Sequence, residues 1–160
     1  MVRDNFTSEE WTKLLESLML AGLAVSAADP NGLWGTIKEA LATRSALAVS
    51  KAGSNELVKA VIADFETGQG RSAIQDALRK RLAGAEPAEV VQRSLDTLHE
   101  VSAILAAKAP GDAVAFKACL YGIGQQVAEA SMEGGFLGFG GVRVSDAEKA
   151  TLGDITKALG

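Results

Sequence analysis

Residues 134–141, "GGFLGFGG", hold five of the chain's 17 glycines and two of its five phenylalanines, just ahead of a helix start. Glycine clusters before helices are where proteins hold phosphates, because free backbone N–H groups converge there. That chemistry needs context: a strand ahead of G-x-G-x-x-G, or a lysine closing G-x-x-x-x-G-K-[ST]. Gly134, Gly135, Gly138, Gly140 and Gly141 fit neither spacing and no lysine ends the run. Asp146 and Glu148 would meet a phosphate with like charge in the next helix's first turn. The stretch reads as an elbow, in which glycine permits a sharp reversal and Phe136, Leu137 and Phe139 tuck into the bundle. If those three side chains stay exposed instead, they form an apolar patch of the kind that marks a partner surface.

Other chemistry has thinner support. His99 is the one histidine, and no H-E-x-x-H or C-x-x-C spacing surrounds it, so a His-rich zinc site is excluded and a histidine flanking an apolar stripe is expected. Cys119 lies among apolar helix positions and reads as an inert buried thiol. Arg71, Arg79, Lys80, Arg81 and Arg93 make one region basic. Such a cluster could hold an acidic partner or RNA, but Asp76, Glu86 and Glu89 intersperse it, so a solvated helix face explains it equally well, and aromatic interleaving is missing. An enzyme would have to use carboxylates such as Glu129 and Glu133; paired acid/base carboxylates are expected on facing helices, in environments that push their pKa values apart.

Helices must position these groups. Thr7 and Glu10 form a capping box, after which Trp11, Leu14, Leu18, Ala21 and Val25 recur at helical spacing and Leu15, Met19 and Leu23 widen the face. So broad an apolar face predicts the central helix. Asp29-Pro30 ends it and opens a second helix over 31–50, with aspartate as N-cap and proline at the first helical position. Gly53-Ser54 recaps the chain before "NELVKAVIADFE", and "TGQG" breaks it before "RSAIQDALRKRLAG". Glu86-Pro87 opens a longer helix with Val91, Leu95, Leu98, Ser102 and Leu105 along one side. Pro110 starts another, carrying Phe116, Leu120, Ile123 and Val127. Ser145 with Glu148 caps the last, which runs to about Leu159. No hairpin dipeptide or sustained alternation appears. The expectation is an all-α single domain over residues 1–160, a bundle of about seven helices.

Composition agrees. The 160 residues are 48% apolar and 22% charged, enough to bury one core without metals or disulfides. A net charge of −4, with 5% aromatics, argues against a nucleic-acid binder. "LMLAGLAVSAAD" is too short for a membrane span and follows acidic residues, unlike a signal peptide. A single cysteine suits a reducing compartment, so the expected location is cytoplasmic.

Two stretches echo each other. "AGLAVSAADPNGLWGTIKEAL" and "GQQVAEASMEGG…GGVRVSDAEKATL" each read as an apolar helix, a Gly-containing turn, then a helix with an early glutamate, Glu39 or Glu148. This helix–turn–helix pseudo-repeat resembles the TerB family of tellurite-resistance and stress-response proteins, whose repeats run approximately A-x-A-D-G-x-[IV]-[ST]-x-x-E. The match covers mainly residues 21–41 and 119–159. Asp29 stands at the family aspartate of the first repeat, and Ser131 or Glu133 at that of the second. The resemblance implies a TerB-like all-helical domain acting as a non-enzymatic binding or scaffold module linked to a divalent metal, with Asp29 and Glu133 as oxygen ligands. Apart from the resemblance, a protein partner is expected where Phe136, Leu137 and Phe139 are exposed, and a second copy of the chain is one candidate. The alternative is the carboxylate enzyme, with a small-molecule pocket between helices.

Overall fold

Six α-helices and one short 3-10 turn make up the residues described in this computed structural model, 2–28, 55–134 and 146–160. After the turn Val2–Asn5 come α1 (Ser8–Ala28), α2 (Glu56–Phe65), α3 (Gly68–Leu82), α4 (Pro87–Lys108), α5 (Pro110–Gly134) and α6 (Asp146–Leu159). The all-α expectation holds, with no strand among the described residues. The second expected helix, 31–50, and its cap Asp29 lie outside them, as do Ser54 and Ser145.

The capping box at the start of α1 forms as the residue types require. The Thr7 N–H donates to Glu10 Oε2 at 2.8 Å and the Glu10 N–H to Thr7 Oγ1 at 3.1 Å. Glu10 also receives Lys108 Nζ at 2.7 Å from the end of α4. That ammonium, with the Thr7 N–H behind it, holds the Glu10 carboxyl below its ordinary range. The tie is therefore present at neutral pH and is lost as acid protonates the carboxyl.

Trp11, Leu14, Leu15, Leu18, Ala21 and Val25 are all buried, and α1 touches every other described α-helix. It is the central helix its broad apolar face requires. Lys13 meets Glu100 at 2.7 Å, so with Glu10 and Lys108 the start of α1 lies against the end of α4, and the two run antiparallel. From α5, Phe116, Leu120, Ile123 and Val127 enter the same core, and Leu152, Ile155 and Leu159 of α6 close it.

Three details depart from the sequence reading. The cap of α2 falls on Asn55, whose Oδ1 accepts from the Val58 N–H at 3.0 Å while its Nδ2 donates to Asp112 on α5 at 2.9 Å. "TGQG" does not precede α3 but begins it. Thr67 Oγ1 accepts from the Gly70 N–H at 2.9 Å, and the helix starts at Gly68. The buried face of α4 is turned from the expected stripe. Val90, Ser94, Thr97, Leu98, Val101 and Leu105 face inward, whereas Val91, Leu95 and Ser102 are half-buried. Two hydroxyl residues in a buried helix face misdirect a hydrophobic pattern, yet they are small enough for close packing. Thr97 bonds its own helix at the Arg93 carbonyl, 3.0 Å away.

Gly70 is needed where it stands. A β-carbon there would collide with the Asp64 carbonyl oxygen, a backbone atom that cannot swing aside. Gly70→Ala should therefore lower stability by about 1–3 kcal/mol in chemical denaturation, as overpacking does. Gly68→Ala, which meets nothing within 4 Å, should not. Equal behaviour of the two variants would disprove the crowded junction.

Candidate functional site

Small side chains on α3 leave a groove against α1. Ala73 and Ala77 fall short of the facing helix, and an open cleft of about 530 Å³ runs between Ser8, Thr12 and Lys13 on one wall and Asp76 and Lys80 on the other. Its charges balance: Glu9, Glu16 and Asp76 against Lys13, Lys80 and Arg81.

The floor of the groove is an ion pair. Arg81 Nε donates to Glu16 Oε2 at 2.7 Å, with the Glu16 side chain only 3% exposed and that of Arg81 25%. Arg93, reaching from α4, donates to the Arg81 carbonyl at 2.8 Å and the Ala83 carbonyl at 3.3 Å. It thereby satisfies acceptors that the end of α3 leaves open. Arg79 lies 3.8 Å from Asp76 on its own helix, and Arg93 also meets Glu89 at 3.1 Å. The basic region of 71–93 is thus mostly spent on pairing within the fold, while Arg71 and Lys80 remain exposed. In the groove, Glu16 is locked by Arg81 and Lys13 is engaged by Glu100. Of the charged lining, Glu9 and Lys80 are left to meet a polar surface or ligand.

Ionisable and hydroxyl side chains elsewhere also join helices. Trp11 Nε1 donates to Asp64 Oδ2 at 2.7 Å, and Arg3 sits 3.6 Å from the same carboxylate and 5.7 Å from the Trp11 ring centroid. His99 is exposed, with Nδ1 3.3 Å from the Ala158 carbonyl, and Ser102 donates to the Leu159 carbonyl at 2.8 Å. Together they serve the C-terminal end of α6. Cys119 is buried, as expected of an inert thiol.

Asp29, Phe136, Leu137 and Phe139 lie outside the described residues, as do the side chains of Glu129 and Glu133. The expected metal pair and the elbow are therefore not located by this structure. Among the described residues no three His, Cys, Asp or Glu side chains gather in a metal-holding group. No helix among them is long and apolar enough to cross a membrane. The groove itself had no sequence signal. It depends on which face of α3 meets α1, and alanines at 73 and 77 read equally well as ordinary helix formers.

No family model, curated protein or solved structure matches this chain.

Proposed function

We propose that this chain is a non-enzymatic binding or scaffold module of the TerB-like kind, acting in the cytoplasm and linked to a divalent metal. The observation that carries the reading is how its reactive side chains are used. Glu10, Lys13, Glu16, Asp64, Arg81 and His99 each bind a group on another element, so they hold helices together. A scaffold needs this rigidity, because a partner surface ordered in advance loses less entropy on binding. The groove between α1 and α3 gives such a module a polar seat for a partner.

In this reading Asp29 and Glu133 supply oxygen ligands to the metal, and Phe136, Leu137 and Phe139 supply apolar contact with a partner protein. The test is metal content and co-purifying protein in the full chain isolated without chelator. The expected result is about one divalent ion per chain, lost in Asp29→Asn and Glu133→Gln. A captured protein should be released by Phe139→Ala with little change in Tm. Metal-free wild-type chain that also captures nothing would overturn the proposal. Turnover of a small molecule that disappears in Glu129→Gln would favour the enzyme instead.

A further inference from the structure

Among the described residues, the outer face of α5 is unlike the other helix surfaces. Val114, 80% exposed, and Tyr121, 37% exposed, are the exposed large apolar side chains among the described residues, and both lie on this helix. At about 100° per residue they sit on one stripe with Pro110, Gly111, Ala118 and Gln125, Gly122 lying at its edge. None of these residues carries charge, in a chain that is 22% charged. The charged residues of this stretch lie at the sides: Asp112 accepts from Asn55 at 2.9 Å, and Lys117 is half-buried near Gly160.

The stripe is complementary to itself. Val114 and Gly122 stand four residues either side of Ala118, about 6 Å along the axis at ~1.5 Å per residue. Gly111 and Gln125 stand seven residues either side, and Tyr121 has half-buried Ala115 as its counterpart at three. In each pair a bulky side chain mirrors a small one. A two-fold axis through Ala118 would set Val114 against Gly122 of the other copy, and a β-carbon on Gly122 meets nothing within 4 Å in the single chain. Isologous contacts require this reciprocity, residue i meeting j while j meets i.

We propose that two copies of this chain pair through α5, antiparallel, across a two-fold axis at Ala118. Charge favours this face over others. Each copy carries a net −4, so approach is opposed wherever acidic surfaces meet and least opposed where no charge is present. Area sets the strength. From Pro110 to Gln126 the stripe is about 24 Å long and roughly 10 Å wide, well under the ~800 Å² per partner of a standard stable interface. The pairing is of the weak, concentration-dependent class. This inference stands apart from the metal and partner reading above, since a monomeric chain could still bind metal.

The test is sedimentation equilibrium of the full chain from about 1 to 300 µM, bracketing the weak range of affinity. Weight-average mass should climb from 16.5 kDa toward twice that value. Added salt should promote the climb, because it screens repulsion between the acidic copies. Val114→Glu should weaken pairing at least tenfold with Tm nearly unchanged, its side chain being exposed. Val114→Gly and Gly122→Val should each weaken it, one removing the projection and the other filling the gap. The double variant Val114→Gly with Gly122→Val should restore it, because the swap exchanges projection and gap on both copies at once. A monomer at every concentration overturns the proposal, as does a dimer indifferent to Val114→Glu. Failure of the double variant to restore pairing overturns the two-fold arrangement.

Discussion

Phe116→Ala should unfold about 3–5 kcal/mol more easily than the parent chain, the range for deleting a buried phenylalanine. The ring has no exposed surface and belongs to the core that α1 shares with α5 and α6. Its removal forfeits transfer free energy and leaves a cavity that packed helices relax into only partly. For a domain of this size the loss should appear as a fall in Tm of roughly 6–20 °C. Phe116→Leu, which keeps most of the apolar volume, should cost on the order of 1 kcal/mol. Val114→Ala, two residues away but on the outer face, should change stability by less than about 0.5 kcal/mol. A Phe116→Ala variant as stable as Val114→Ala would show that α5 does not pack this face inward.

Arg81→Ala should be the second most damaging change, at about 2–4 kcal/mol. Removing one member of a buried ion pair strands the other, and a fully enclosed pair would lose about 3–5 kcal/mol. Arg81 is a quarter exposed, so water can partly solvate the stranded Glu16 and the loss is smaller. The double variant Glu16→Leu with Arg81→Met should recover most of the stability, because apolar groups of similar size leave no buried charge. The cycle therefore separates the penalty of a stranded carboxylate from the net worth of the pair. A loss below about 1 kcal/mol in Arg81→Ala would class the pair with exposed salt bridges. The groove would then lack a fixed floor.

Much of this molecule was legible without its structure. The start of α1 follows from Thr7 and Glu10, and its burial from the spacing of Trp11, Leu14, Leu18, Ala21 and Val25. Pro87 and Pro110 stand at the first residues of α4 and α5. Such features are local: a cap or a helical period is complete within a few turns, so neighbouring residues suffice to specify it. Errors arose where one residue type serves two roles. Thr67 and Gly70 read as a break but form a first turn, because the hydroxyl caps and the glycine lets the Asp64 carbonyl approach. Ser94 and Thr97 fall outside the expected stripe of Val91, Leu95, Leu98, Ser102 and Leu105 and yet are buried, because the packing of α4 rewards small volume more than it penalises a hydroxyl.

The candidate site was not legible, and the reason is separation along the chain. Glu16 and Arg81 are 65 residues apart, Trp11 and Asp64 are 53, and Glu10 and Lys108 are 98. A charge on a helix advertises only that it will face water or a counter-charge; which counter-charge depends on how whole helices are laid against one another. The exposed stripe of α5 has the same origin. Composition supplies Val114, Ala118, Tyr121 and Gly122 at helical spacing, but only packing leaves that side uncovered by the other described helices while Phe116, Leu120 and Ile123 turn inward. Sequence alone determined that the chain makes helices, where most begin, and which helix lies at the centre, since those depend on local hydrogen bonds and periodicity. Tertiary structure decided which charges are spent on the fold and which surfaces remain to bind, because burial is a property of the assembled helices and of no segment by itself.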